Sequence, residues 1–273
     1  MPNAKELTET GLGKPKFLLS GASGSGKTAQ FLTLPGKTFL YLFDPSSLST
    51  IRGFDVEYEM FVPKVASLST RSLSKDVGDP KKLKVVDAHE IYLAWEKDIE
   101  AKMESGFFDT FDNIGFDSFT TFSDIVMDRV LHLNSRTGQW PQQDDWTAQM
   151  NGMKNVVRTL TGQMDLTLIC TAHEDLVQDE LTHRVMNQII LTGKLRQKIP
   201  ILFSDVWHLE CQIVEGKAKY IAQTKPDKMN PSCRTSFREL DQFNDVTIRD
   251  WNSPKEYGIG ALLKKHNFAV RGE

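Results

Sequence analysis

The sequence has few of the features that mark secreted, zinc-binding and membrane-spanning proteins. Its 273 residues include three cysteines, which form neither a C-x-x-C pair nor a Cys/His ligand spacing. This argues against a disulfide framework or a structural zinc site and indicates reduced thiols. No apolar stretch approaches the ~20 residues of a membrane span, and the polar N-terminus lacks the apolar segment of a signal peptide. We expect a cytoplasmic protein with no membrane partner.

The chain also lacks an excess of positive charge. Lysine and arginine number 33 against 36 aspartates and glutamates, which gives a formal net charge of −3. The surface as a whole is therefore not suited to a polyanion, and any nucleic-acid contact must be a local basic patch. Hydrophobic residues make up 40% and charged residues 25% of the chain. These values are ordinary for a globular protein with one large domain or two small ones.

What the sequence does contain is an alternation of short apolar runs with helical patterns. Strand-length apolar runs occur at 16–20, 37–44, 111–117 and 165–173. Helical patterns begin at Lys27 and span 89–105, 118–133 and 146–163. Two β-hairpins follow in the last third, the second turning at Glu215-Gly216. This order predicts an α/β fold with a mostly parallel central sheet, flanked by helices and extended by antiparallel C-terminal hairpins.

Composition divides the chain into three parts. We predict an N-terminal arm at 1–15, an α/β domain at 16–240 and a polar, turn-rich C-terminal tail at 241–273. Within the domain, 62–84 is Ser-rich and mostly basic and is predicted to be an exposed loop.

The most specific motif lies between the first strand and the first helix. The segment "GASGSGKT" fits G-x-x-x-x-G-K-[ST] without a gap. Its glycines allow positive φ, so that successive N–H groups converge on one anion, and the next helix adds its own free N–H groups. Lys27 is expected to neutralise β- and γ-phosphate oxygens, and the Thr28 hydroxyl to ligate Mg²⁺. The predicted phosphate-binding residues are Gly21, Ala22, Ser23, Gly24, Ser25, Gly26, Lys27 and Thr28.

A phosphate loop of this type needs an acid at the end of a neighbouring strand to hold Mg²⁺. Asp117 ends "NIGFD" and Asp44 ends "FLYLFD", so both are predicted at the carboxyl edge of the sheet. We prefer Asp117 as the metal-side acid, although either residue could instead cap the following helix. The strand 165–173 ends in His173, a candidate γ-phosphate sensor or a structural histidine. Glu174, which follows it, is a candidate base for the attacking water.

Several segments together resemble a known family. They are "LLSGASGSGKT", "TFLYLFDPSS", "NIGFDSFT", "LTLICTAHED", "TGKLRQKIPILFSDVWHL" and "KYIAQTKPD". These segments resemble RecA-like P-loop ATPases and, more closely, the phage-encoded Sak-type AAA/RecA-like single-strand annealing proteins of DNA recombination. The resemblance implies a RecA-like P-loop core, ATP and Mg²⁺ as cofactors, ATP hydrolysis with Lys27 and Asp117 as catalytic residues, and a host cytoplasm as the location.

The same resemblance implies partners. They are single-stranded DNA and further copies of the chain in a ring or filament, with a single-strand DNA-binding protein as a candidate third partner. The candidate DNA-binding residues are Lys194, Arg196 and Lys198, with Trp140 as a stacking platform. The candidates that would reach a neighbouring subunit's nucleotide, as an arginine finger does, are Lys225, Lys228 and Arg234. For all of these, an exposed and merely solvated side chain is the alternative.

The chain departs from related ATPases at one place. They usually carry a water-activating glutamate just past the acid of the strand that matches "FLYLFDPSS", whereas this chain has Asp44-Pro45-Ser46-Ser47. Either Asp44 or Glu174 takes over that role, or hydrolysis is slow. Two hypotheses stay open: an ATP-hydrolysing protein that binds single-stranded DNA, and a nucleotide-gated oligomeric assembly protein with little turnover. A small-metabolite kinase is less favoured, because no compact Arg cluster suits a lid over the phosphates.

Overall fold

A single large sheet organises the part of the chain that the structure describes. The computed structural model describes residues 14–62, 88–179 and 183–265. The strands are β1 (Lys16–Gly21), β2 (Thr38–Leu42), β3 (Glu57–Met60), β4 (Asn113–Asp117), β5 (Thr167–Gln178), β6 (Val185–Ile189), β7 (Asp205–Val214), β8 (Lys217–Gln223) and β9 (Phe243–Asp245). Their order is β3-β2-β4-β5-β1-β7-β8-β9, and β6 pairs with the far end of β5.

Strand direction divides this sheet into two parts. The six strands from β3 to β7 are parallel, whereas β8 is antiparallel to β7 and β9 is antiparallel to β8. The β5–β6 pair is also antiparallel, and the β7–β8 turn has positive φ at Glu215 and Gly216, the signature of a tight hairpin. The predicted fold class, an α/β fold with a mostly parallel sheet and antiparallel C-terminal hairpins, is confirmed.

Helices cover both faces of the sheet. The α-helices of the described residues are α1 (Ser47–Ile51), α2 (Ala88–Glu104), α3 (Phe119–Leu133), α4 (Gln143–Gln163), α5 (Leu195–Lys198) and α6 (Gly258–Lys265). On one face, α2, α3 and α4 contribute Trp95, Phe122 and Val157 to one apolar cluster. On the other face, α1 and α6 contribute Ile51 and Ile259 to a second cluster. No helix in these residue ranges has the length and apolar character needed to cross a bilayer.

Alternation along the first strand explains why two cores form. Leu18 of β1 points into the first cluster, whereas Phe17 and Leu19 point into the second. Successive side chains of a strand point to opposite faces, so a continuous apolar run fits a strand that is covered on both sides. The apolar segment that precedes the glycine-rich loop is therefore a central strand whose end is fixed by packing from above and below.

Two helix starts are set by capping residues. Ser118 precedes α3, and its Oγ accepts a hydrogen bond from the N–H of Thr121 at 3.4 Å, as predicted for an N-cap. The helix α4 begins three residues earlier than the pattern at 146 predicts, at Gln143. The reason is local, because Asp145 Oδ2 accepts the N–H of Gln142 at 2.8 Å and so completes a helix start upstream of Trp146.

The segment after the glycine-rich loop corrects a second expectation. The sequence predicts an ordinary helix from Lys27, but the structure has a six-residue 3-10 helix at Thr28–Thr33. Leu34 then adopts an extended conformation with φ −65° and ψ 138°. Because Leu34 precedes Pro35, which disfavours helical geometry in the residue before it, the helix ends early.

The C-terminal segment packs on that 3-10 helix. Val246, Ile259 and Leu263 are buried in the second apolar cluster, although they lie within the residues predicted to form a tail. The predicted arm and basic loop lie outside the described residues, apart from 14–15 and 62.

Candidate functional site

The glycine-rich loop follows β1 and turns back over the strand end. Gly24 and Gly26 have φ values of +79° and +85°, a region that favours glycine. Gly26 also has no room for a side chain, because a Cβ there would lie 2.8 Å from Cδ1 of Tyr220 on β8. The loop conformation therefore depends on glycine at two of the motif positions, as the sequence predicts.

The Lys27 ammonium group lies at the mouth of the loop. Its Nζ donates to the carbonyl oxygens of Gly21 at 2.8 Å and Ala22 at 2.7 Å, and the residue is buried. Burial lowers the pKa of Lys27, while the nearby carboxylates of Asp117, Glu174 and Asp44 act in the opposite direction. A partly desolvated cation in this position has a strong electrostatic preference for an anionic ligand.

The Asp117 carboxylate accepts hydrogen bonds from three hydroxyl groups. Thr28 Oγ1 and Ser47 Oγ each donate to Asp117 Oδ2 at 2.7 Å, and Thr171 Oγ1 donates to Oδ1. The three hydroxyls come from the glycine-rich loop, from α1 and from β5, so this acid joins three separate segments. Sequence reasoning found Asp117 and Thr28 but missed Ser47 and Thr171. Their signal was weak: Ser47 lies three residues after Asp44, and Thr171 lies two residues before His173 on the same strand.

Asp44 has different neighbours. Its carboxylate accepts the Ser118 hydroxyl at 2.8 Å and the Thr121 hydroxyl at 2.7 Å, so it holds the first turn of α3. The peptide bond that joins Asp117 to Ser118, a partner of Asp44, is cis. Asp44 and Asp117 line one cleft of about 390 Å³ that also includes the glycine-rich loop, a volume in the range of small-molecule sites.

His173 ends the parallel portion of β5 and Glu174 begins its antiparallel portion, and the two side chains line different cavities. His173 lines the cleft, and its backbone N–H donates to Thr120 Oγ1 at 2.9 Å. Burial, and secondarily the charge of Lys27, lowers the pKa of His173, which favours the neutral imidazole. Glu174 instead pairs with His208, with Oε2 and Nδ1 2.6 Å apart, and lines a separate small cavity. The structure therefore brings His173, but not the Glu174 carboxylate, into the cleft wall.

The predicted DNA-binding residues lie on two exposed segments. Lys194, Arg196 and Lys198 are exposed on and beside the one-turn helix α5, while Leu195 between them is buried. Trp140 lies in the loop between α3 and α4 and is 92% exposed. Its role as a stacking platform stays a prediction.

The three candidates for contact with a neighbouring subunit differ from one another. Lys225 and Lys228 are exposed in the loop after β8, and Arg184 of the β5–β6 hairpin donates to the Lys228 carbonyl at 3.0 and 2.6 Å. The Arg234 guanidinium instead donates to carbonyl oxygens of its own chain, those of Pro200, Ile201 and Phe203. All three bonds come from Nη2, and the residue as a whole is exposed, so the contact of Arg234 with a neighbouring subunit stays a prediction.

Comparisons with known proteins give two kinds of match, to solved structures and to a family profile. Among solved structures, the chain is similar to the flagellar accessory protein FlaH from Methanocaldococcus jannaschii, with 13% identity and a TM-score of 0.38 over 90% of this chain and 92% of that chain. It is also similar to a KaiC-like protein from Pyrococcus horikoshii OT3, with 12% identity and a TM-score of 0.43 over 93% of this chain and 94% of that chain. Similarity of this degree carries no conclusion about activity. No curated protein matches the chain.

A family profile described as "AAA domain" matches residues 13–234. The match contains the glycine-rich loop, Asp117 and His173, which the fold brings to one cleft. Such domains bind and hydrolyse nucleoside triphosphates through this loop. The chain belongs to the AAA domain family and has the P-loop core of an ATPase.

Proposed function

We propose that the cleft binds ATP with Mg²⁺ and that the bound nucleotide controls the attachment of this protein to single-stranded DNA, in recombination or strand annealing of the phage-encoded, Sak-type kind. One observation carries the nucleotide part: Lys27 and Asp117, which are distant in sequence, line the same cleft, and Thr28 links the loop to the acid at 2.7 Å. A cation for phosphate and a carboxylate for metal are the two requirements of phosphoryl transfer at such a loop.

The oxygen atoms around Asp117 suit magnesium. Two hydroxyls, those of Thr28 and Ser47, lie 2.7 Å from the same carboxylate oxygen, and Mg²⁺ prefers oxygen ligands from one or two side chains together with substrate phosphates. Among the residues of the described ranges, no group of three His, Cys, Asp or Glu forms an all-protein metal site. Bound magnesium supplies charge neutralisation on the phosphates.

Within this proposal the chain's own groups have separate tasks. The loop amides and Lys27 bind the β- and γ-phosphates, and Asp117 orients the Thr28 and Ser47 hydroxyls toward the metal position. His173, kept neutral by burial beside Lys27, can donate a hydrogen bond to the terminal phosphate and so sense its presence. Because β5 continues from His173 into the β5–β6 hairpin, this sensor is directly connected to a projecting element.

A second candidate function is a nucleotide-gated assembly protein with little turnover. It is favoured by the neighbours of the two candidate bases, since Asp44 accepts hydroxyls of Ser118 and Thr121 and Glu174 is paired with His208. A general base must be within hydrogen-bond reach of the water that it activates. Measuring ATP turnover together with particle mass, with and without ATP, separates the two candidates: brisk turnover by a monomer contradicts the second.

The test of the nucleotide site compares Lys27→Ala with Lys97→Ala, which removes an exposed lysine of α2. We expect both variants to fold, Lys97→Ala to bind and hydrolyse ATP like the parent, and Lys27→Ala to lose nucleotide-dependent behaviour. Full ATP turnover by Lys27→Ala would show that the site is assigned to the wrong residues.

The test of DNA binding uses charge-matched triple variants. One removes Lys194, Arg196 and Lys198; the control removes three other exposed cations, Lys97, Arg158 and Lys217. If the α5 cations contact phosphates, the salt dependence of oligonucleotide binding becomes shallower by about 2 in log–log slope, at roughly 0.7 per contact. The control should keep the parent slope. Failure of the parent to retain single-stranded DNA with ATP and Mg²⁺ at low salt removes the DNA part of the proposal.

Self-assembly enters the proposal through the loop after β8. We assign Lys225 and Lys228 to contact with the nucleotide of a neighbouring copy in a ring or filament, because both residues are exposed while their backbone carbonyls are bound within the chain. Arg184 donates to the Lys228 carbonyl, and Gln223 Nε2 donates to the Lys225 carbonyl at 2.9 Å. The variant K225A/K228A should bind ATP normally but lose any increase of turnover with protein concentration. An unchanged concentration dependence contradicts this assignment.

A further inference from the structure

The nucleotide cleft extends beyond the phosphate loop to a tryptophan. Trp251 lines the same cleft as Lys27 and Asp117, and its side chain is 49% exposed. It lies outside the segment matched by the AAA domain profile, which ends at residue 234. What distinguishes Trp251 from the exposed Trp140 and Trp146 is its place in the wall of this cleft.

A tight turn holds Trp251 in place. Asp250 Oδ1 accepts hydrogen bonds from the backbone N–H of Asn252 at 2.9 Å and from its side-chain amide at 3.0 Å. The Trp251 ring also contacts Phe54, which follows α1, with ring centroids 6.1 Å apart and a tilt of 52°. An aromatic group that is fixed in this way loses little conformational freedom when it binds a flat ligand.

The segment that carries Trp251 is attached to the phosphate loop's own helix. Gln30 lies on the 3-10 helix that begins at Thr28. Its side-chain amide donates to the Val246 carbonyl at 3.2 Å and accepts the N–H of Ile259 at 2.9 Å. The Gly260 N–H donates to Thr33 Oγ1 at 3.1 Å. These bonds fix the position of residues on both sides of Trp251 relative to the phosphate-binding amides.

The other aromatic groups of the cleft are already engaged. Tyr220 packs against Gly26, with ring atoms that would be 2.8 and 3.1 Å from a Cβ at that glycine, so its ring supports the loop. His173 lies near Lys27, Asp44 and Asp117, whose charges influence its pKa, and this places it at the phosphate end. Trp251 is therefore the aromatic side chain of the described cleft that is left for the remainder of the nucleotide.

We infer that Trp251 stacks on the nucleobase of the nucleotide whose phosphates occupy the loop. The inference rests on the proposed nucleotide site and deepens it by assigning the base-binding residue. Stacking gives affinity without strong selection, because every base has a π-face. Purine nucleotides, which have the larger ring system, should therefore bind more tightly than pyrimidine nucleotides, and this preference should depend on Trp251.

The experiment separates the base from the phosphates. ATP, CTP and inorganic triphosphate, each with Mg²⁺, are titrated by calorimetry into the parent, Trp251→Ala, Trp251→Phe and the control Trp146→Ala, which removes another partly exposed tryptophan, on α4. Alanine at a stacking position weakens binding by roughly 5- to 150-fold, the equivalent of about 1–3 kcal/mol. We expect this loss for ATP with Trp251→Ala, a smaller loss with Trp251→Phe, and no change for triphosphate in either variant.

The outcomes distinguish the stacking role from the proposed function. If Trp251→Ala binds ATP as the parent does, or loses ATP and triphosphate equally, stacking is overturned while the phosphate site stands. If the parent binds neither ATP nor triphosphate, the proposed nucleotide function fails and the stacking role fails with it. Thermal unfolding of each variant shows whether a loss of ATP affinity comes from unfolding, and the retained triphosphate affinity of Trp251→Ala provides the same check within the titration.

Discussion

The hydroxyl of Ser47 should contribute more to stability than its position in a short helix implies. It donates to Asp117 Oδ2 at 2.7 Å, and both residues are buried. A hydrogen bond to a charged group contributes about 1.5–3 kcal/mol, and Ser→Ala removes a single oxygen and leaves little cavity. Ser47→Ala is therefore expected to lower the free energy of unfolding by about 1.5–3 kcal/mol, which corresponds to a fall in melting temperature of roughly 3–12 °C at about 2–4 °C per kcal/mol.

The same helix offers a matched control. Ser49 Oγ donates to the Ser46 carbonyl at 2.7 Å in an exposed position, so Ser49→Ala exchanges a neutral, solvated bond and should change the unfolding free energy by less than about 1 kcal/mol. Urea unfolding at constant m-value measures both variants. In an Asp117→Asn background the effect of Ser47→Ala should shrink, because the charged acceptor is gone. Equal losses for Ser47→Ala and Ser49→Ala would refute the reasoning.

Three further predictions follow from the site. Gly26→Ala should greatly weaken ATP binding in calorimetry, because φ is +85° and the new Cβ would collide with Tyr220; parent-like affinity contradicts this. His173 should titrate below its usual pKa of about 6.5 by NMR and shift upward in Lys27→Met, since Lys27 lowers its pKa. Because the folded-state pKa is the lower one, the histidine's contribution to stability is complete above the unfolded pKa and is lost as pH falls through the folded value. Arg234→Ala should lower the unfolding free energy by about 1.5–3 kcal/mol, because its Nη2 binds three carbonyl oxygens, and should leave ATP turnover unchanged; a selective loss of turnover would instead indicate a role at a neighbour's site.

The sequence predicts the central part of the site because its signals are local. The phosphate motif is contiguous, and Asp117 ends an apolar run at a strand-to-helix turn, so both could be located without knowledge of the fold. Ser47 and Thr171 could not, because a hydroxyl has no distinctive pattern and acquires its role only when α1 and β5 come next to β4. Glu174 shows the reverse case: its place after the strand indicated catalysis, but its carboxylate pairs with His208, which is 34 residues away in sequence.

The fold was predictable to a similar degree. Apolar runs identified the central strands, whereas β3, with the sequence "EYEM" and four exposed residues, gave no signal, because edge strands bury too little to require apolar residues. The C-terminal segment was also missed: Val246, Ile259 and Leu263 are isolated among polar and turn residues, so their burial depends on a surface that only the folded 3-10 helix provides.

The side-chain amide of Gln30 makes the phosphate loop dependent on the segment from Val246 to Ile259. Its nitrogen donates to Val246 and its oxygen accepts from Ile259, both more than two hundred residues downstream. A chain shortened to end at residue 240 would leave that buried amide without these partners and uncover apolar groups such as Leu32 and Leu34, with a penalty of several kcal/mol for the unpaired amide and lost apolar contacts. The loop should therefore acquire its final shape only after α6 has packed against the 3-10 helix.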